Sequence, residues 1–318
     1  MSEVAQHYPP GQHPDMPPPP GQRGIVLWLR TNLFSSWINT LATLLGIYIL
    51  YIIIPPLANW VIFDSVLEAA NRNECRAIDD GACWAFIKDR FSILVYGFYP
   101  EASRWRVDLS FILLCLALVP VLFDNVPFRK PGLLFSIAYP FVAGWLLLGG
   151  FGLEPVGTDE FGGMMLNTVV GVTGIAFSLP LGILLALGRQ SHLPIVKSIS
   201  VCFIEFIRGV PLITLLFVAS TMLNYFLPPG TTFDLLLRVL IMVTLFASAY
   251  IAEVVRGGLQ AIPKGQYEAA DSMGLKYWQS MRLIVLPQAL KISIPGIVNT
   301  FIGLFKDTTL VLIIGLLD

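Results

Sequence analysis

Uncharged apolar runs, most of them long enough to cross a bilayer, recur along this chain and are parted by short segments that hold most of its Lys and Arg. A membrane-crossing helix needs about 20 apolar residues. Residues 31–63 carry no charge and read as a first span closed by Pro55-Pro56. The run "LSFILLCLALVPVLF" (109–123) is shorter, but Arg104 and Arg106 can snorkel at its edge, which makes it a second span. Residues 131–153 and 161–188 are uncharged and form the third and fourth. A fifth lies within 198–227, interrupted by "FIEFIRGVP", a sixth at about 235–256 and a seventh at about 286–305. An eighth begins at Thr308 and has only ten residues to Leu317, about 15 Å of helix. A chain end at mid-bilayer is costly, so the sequence is expected to be cut short of its natural C-terminus. The pattern predicts an all-α polytopic membrane protein with about eight transmembrane helices, the last truncated.

Composition agrees. Of 318 residues, 55% are hydrophobic and only 13% charged, against about 25% charged in ordinary soluble domains. The formal net charge of −1 implies no nucleic-acid partner. Residues 1–24 are rich in Pro, Gly and Gln, a composition that cannot bury enough apolar surface to order itself. A disordered, Pro-rich tail is expected over 1–30.

Lys and Arg in short loops orient such a chain. With the N-terminus in the cytoplasm, Arg129, Lys130, Arg189, Lys197, Arg256, Lys264, Lys276, Arg282 and Lys291 fall inside, while the loops 151–163 and 228–234 hold no basic residue. The reverse orientation puts almost every short basic loop outside. The long outer loop, 56–106, contains Cys75 and Cys83, which in an oxidising compartment can pair across a "DDG" turn or remain free thiols.

Catalytic signatures are missing. There is no G-x-x-x-x-G-K-[ST] phosphate loop, no H-E-x-x-H and no G-x-S-x-G elbow, and His7, His13 and His192 form no ligand set. The sequence gives no reason to call the chain an enzyme, and no metal or cofactor is expected in it.

One segment departs from the apolar pattern: "GGLQAIPKGQYEAADSMGLKYWQSMRL" (257–283). Pro263 suits a helix start, Gly274 suits a helix stop, and a second surface helix is expected before Pro287 bends the chain back into the membrane. Glu268 and Asp271 share one side of the first helix, and the small Ala269 and Ala270 would let it seat closely in a groove of another protein. An amphipathic helix resting on lipid is the plainer alternative.

The exact pattern Glu268-Ala269-Ala270, Gly274, Ile284 and Leu286-Pro287 resembles the signature of the permeases of ATP-binding-cassette (ABC) importers. "FIEFIRGVPLITLLF" (203–217), "SAYIAEVVRGGLQAIPKGQYEAA" (248–270) and "LPQALKISIPGIVNTFIGLFKDTTL" (286–310) look like the polar amino-acid branch of that family. The resemblance covers about 161–318. Three additional spans with a long outer loop, 31–160, resemble the membrane subunits of general L-amino-acid importers.

The resemblance implies a five-helix permease core at 161–318 with an ATPase-coupling region at 257–285. Glu268, Ala269, Ala270 and Gly274 would engage an ABC ATPase dimer, which carries the ATP and Mg. It also implies a second permease subunit, expected to be a paralogue, a periplasmic amino-acid-binding protein, and a bacterial inner-membrane location. Glu205 with Arg208, and Glu253 with Arg256, are each three apart near that membrane face and are expected to pair at helix ends in the gate region. Asn167, Thr168, Thr173, Thr214, Ser220 and Asn224 are polar groups inside spans, more often interhelical bonds than substrate contacts. An ABC permease for another polar solute, an ion-gradient-driven transporter and a membrane scaffold remain the alternatives.

Overall fold

A computed structural model describes residues 24–77, 81–222, 225, 228 and 233–316. Most of the expected tail, Asn224, most of the 228–234 loop, the "DD" of the expected turn and the last two residues lie outside them.

Among the described residues the structure is helical, with two isolated bridges and no extended sheet. It divides into two compact units, residues 1–89 and 90–318. In the first, α1 (Ile25–Asn32) precedes α2 (Trp37–Ala58), whose start is capped by Ser36 accepting from the Asn39 N–H at 3.2 Å. Pro55-Pro56 does not close this span. The helix runs through both prolines, which membrane helices tolerate, and then widens into a π turn, Asn59–Phe63. The turn's end is tied down by the Ala82 N–H on the Trp60 carbonyl and the Trp84 indole N–H on the Val61 carbonyl, 2.8 and 2.7 Å. In the following loop Cys75, within the short α3 (Arg72–Ala77), is joined to Cys83 as a disulfide with their Cα atoms 5.8 Å apart. Helix α4 (Trp84–Tyr96) follows.

The second unit holds a hairpin, α5 (Arg104–Leu122) and α6 (Arg129–Leu148), and then α7 (Gly163–Gln190). Helices α8 (Pro194–Gly209) and α9 (Leu212–Phe217) are bent by 102° at Val210-Pro211. The residue before a proline is pushed out of helical geometry, and Val210 is extended accordingly. Helix α10 (Leu235–Gln260) is capped by Asp234 and packs along α7 and α13 (Leu286–Asp307). Between them lie α11 (Lys264–Ser272) and α12 (Tyr277–Ser280).

Six helices, or seven if the bent pair is one span, are long and apolar enough to cross a membrane among the described residues. The chain is thus an all-α polytopic protein, but the count of eight is not reached. The expected eighth helix is a 3-10 stretch, Thr308–Ile314, running on from α13 with Thr308 and Val311 buried. The second surface helix is not separate either. From Tyr277 to Ile314 the chain is one 38-residue helical length, in which a π turn, Met281–Val285, leads directly into Pro287 in the first turn of α13, where its missing N–H costs little.

Two large apolar cores and two smaller clusters fill this unit. One large core lies at the end of α7 that carries the 149–162 loop and joins Tyr99, Val107, Phe161, Leu166, Leu216 and Val243. The other lies at the opposite end and joins Ala186, Ile204, Val255, Met281, Val285 and Ala289. At the first end the α4–α5 link meets the start of α7 backbone to backbone. Gly97 has φ +62°, and a Cβ there would strike the Gly162 backbone, so only glycine fits.

Candidate functional site

The segment between α10 and α13 is a compact knob. Pro263 precedes α11, and Gly274, at φ +70°, closes it. The Gly274 N–H donates to the Asp271 carbonyl and the Leu275 N–H to the Ala270 carbonyl, at 2.9 and 3.2 Å. A glycine adopts this left-handed geometry without a Cβ penalty.

Ala270 is wholly buried and packs inside this chain, while Ala269 is exposed. The expectation that both alanines face a partner is therefore corrected. Ala270 is small because its own chain leaves no room, and only Ala269 is free to face outwards. Glu268 and Asp271 are exposed beside it, and Met273, Tyr277 and Trp278 add a large apolar rim. Tyr267 and Ile262 turn inward onto the second core, and burial raises the Tyr267 phenol's pKa. The Gln288 amide donates to the Gln266 side-chain oxygen at 3.0 Å, tying α11 to α13. The knob is thus tied to α13 by this bond and, through Tyr267 and Ile262, to the core that α10 shares.

At the same end of the bundle five charged side chains meet. Arg189, at the end of α7, contacts both Glu205 and Glu253 at 2.8 Å. Glu253 also takes Arg256 at 2.8 Å and Arg208 at 3.5 Å, and Arg208 lies over the Tyr250 ring at 5.7 Å. The Glu253 side chain is only 15% exposed, against 53% for Glu205. The Glu253–Arg256 pair forms as its spacing suggests. Glu205 instead pairs with Arg189, and Arg208 turns to Glu253, so the cluster bridges α7, α8 and α10. Sequence reasoning missed Arg189, which links Glu205 to Glu253. The available signal was a lone arginine ending a long uncharged span, near two carboxylates that already had helical neighbours. Three guanidiniums face two carboxylates, leaving one positive charge in excess.

Arg238, also missed, donates to the Ser220 and Phe233 carbonyls at 2.7 and 2.6 Å, tying the π turn after α9, Val218–Met222, to the start of α10. Of the polar residues inside spans, Thr168 and Ser220 bond back to carbonyls of their own helices.

Residues 178–317 match the family of binding-protein-dependent transport system inner membrane components. The chain is 50% identical over 308 residues to the inner membrane amino-acid ABC transporter permease protein YhdY of Escherichia coli (strain K12), covering 96% of this chain and 83% of that one. It is 48% identical over 370 residues to the glutamate/glutamine/aspartate/asparagine transport system permease protein BztC of Rhodobacter capsulatus, covering 95% and 84%. A crystal structure of an amino acid ABC transporter with histidines aligns at TM-score 0.43 and 30% identity, over 48% of this chain and 69% of that one.

Proposed function

Since the chain belongs to the amino-acid ABC transporter permeases, inner-membrane components of binding-protein-dependent transport systems, we propose that it carries L-amino acids across the bacterial inner membrane, driven by a separate ATPase. In this reading residues 1–30 form a cytoplasmic tail. Residues 31–160 form an accessory membrane region with its 56–106 loop in the periplasm, and 161–318 form the permease core.

The observation that carries the coupling role is the exposed Glu268–Ala269–Asp271 face of a knob fastened to α10 and α13. The ATPase dimer holds ATP and Mg and grips this face, while the chain itself performs no chemistry. A second permease subunit, a paralogue, completes the pore, and a periplasmic binding protein delivers the amino acid. When the ATPases close, α11 moves with them and pulls on α10 and α13. The Arg189–Glu205–Glu253 cluster lies between the moving helix ends, so its contacts exchange partners as the inner gate opens and shuts. Nucleotide must favour one of the two states, or no population shifts.

The test is co-expression with the neighbouring subunits, co-purification, and uptake of labelled amino acids into vesicles loaded with ATP. ATP-dependent uptake with a bound ATPase supports the proposal. Uptake driven by an ion gradient without ATP refutes it.

A further inference from the structure

Between the α5–α6 hairpin and α7–α10 lies a crevice of about 410 Å³. Its walls include Phe111, Phe141, Val169, Val172, Phe177 and Leu240, all on membrane-spanning helices. The hairpin touches α7 only along a short line, so the gap is not closed by packing. On α7 it extends from Met165 to Phe177, about 18 Å of helix, close to the depth of a single leaflet of about 15 Å.

The polar groups in these walls decide what fits. Tyr139 donates to the Ser110 carbonyl at 3.0 Å and has the Ser110 hydroxyl at 3.2 Å. Thr168 bonds the Met164 carbonyl at 2.8 Å. Thr158 donates to the Asp234 carboxylate, whose other oxygen accepts the Leu237 N–H. Thr173 alone among the lining hydroxyls has no such bond. A zwitterionic amino acid would find only the Asp234 carboxylate at one end for its ammonium and no cation in the lining for its carboxylate, so a buried charge would stay unpaired at high cost. An empty crevice would forfeit dispersion contacts on every wall. Even a dry apolar cavity of about 150 Å³ takes up a benzene ring, and this one is larger and lies beside hydrocarbon.

We propose that the crevice between the hairpin and the permease core holds one acyl chain of a membrane phospholipid, bound as a fixed part of the fold. The lipid fills the gap that side chains leave and packs α5–α6 against α7. The inference goes beyond the transport reading and requires only that these helices lie in a bilayer.

The test uses the full chain, purified with its partner subunits from nanodiscs of phosphatidylethanolamine and phosphatidylglycerol and re-extracted into detergent. Native mass spectrometry is expected to find one phospholipid retained per copy. A Cβ at Gly144 meets open space and points no wall atom aside, so Gly144→Phe fills the crevice and lowers the retained fraction roughly tenfold or more. Leu184→Phe, on an exposed position of α7, leaves it unchanged. Should Gly144→Phe fail to assemble, p-benzoylphenylalanine replacing Val169 supplies a second readout, a cross-link to phospholipid in the re-extracted complex. Absence of retained lipid overturns the proposal. So do equal retention in Gly144→Phe, a retained amino acid, or a cross-link to another subunit. Uptake is not the readout, so failure of the importer reading would leave this result standing.

Discussion

At the two ends of the permease bundle guanidinium groups do different things. At the far end, by the 149–162 loop, Arg106 donates to the Glu154 carbonyl at 2.6 Å and Arg238 to the Ser220 and Phe233 carbonyls. At the knob end Arg189, Arg208 and Arg256 share two carboxylates from different helices. A carbonyl fixes one backbone segment and has no charge to trade. A carboxylate among three cations can exchange partners at little net cost. The far end is thus held by contacts with no charge to trade, and the knob end by contacts that can exchange partners.

The largest test of this contrast is Glu268→Lys on the exposed knob face. A charge reversal at a docking surface is expected to cost about 3 kcal/mol of coupling, roughly a hundredfold in uptake rate. Membrane insertion, followed by fractionation, should be unchanged, and normal uptake would remove the knob from the mechanism. Next comes the cluster. Glu253→Gln leaves three guanidiniums with only the exposed Glu205 as counter-charge and should destabilise the detergent-solubilised protein by about 3 kcal/mol. Glu205→Gln, at an exposed site with one partner, should cost less than about 1 kcal/mol. Equal thermal shifts for the two would deny Glu253 its central place.

Arg238→Met at the far end should cost about 1 kcal/mol, the penalty of leaving two half-buried carbonyls unmet. Its effect should hardly vary with salt, whereas the cluster variants should converge towards the parent as ionic strength rises. A salt-dependent Arg238→Met would undo the contrast. Last comes Gly274→Ala, a strain of about 1 kcal/mol at a left-handed residue with open space around it. Gly274→Asn, which tolerates that conformation, should lose less, and the ranking is read from uptake.

Much of this was legible in the sequence, for a physical reason. Hydrocarbon demands long uncharged helices, so spans announce themselves, and the Glu268–Gly274 segment stands out because charge is scarce elsewhere. The pairing of Arg189 was hidden because it depends on three helix ends meeting, whereas Glu253 and Arg256 are set by one helix. The burial of Ala270 was hidden likewise, since an alanine is small in either setting and only the fold says which surface it meets. Pro55-Pro56 and Pro287 misled because a membrane helix can continue through a proline that would end one in water.

The glycine ledge where the α4–α5 link rests on the start of α7 restricts how this molecule can be shortened. An engineer trimming the chain to its last half would strip Gly97 from Gly162 and bare both a backbone and the apolar wall behind it. Such a minimal version would need a new cover for that shoulder before it could be expected to remain monodisperse.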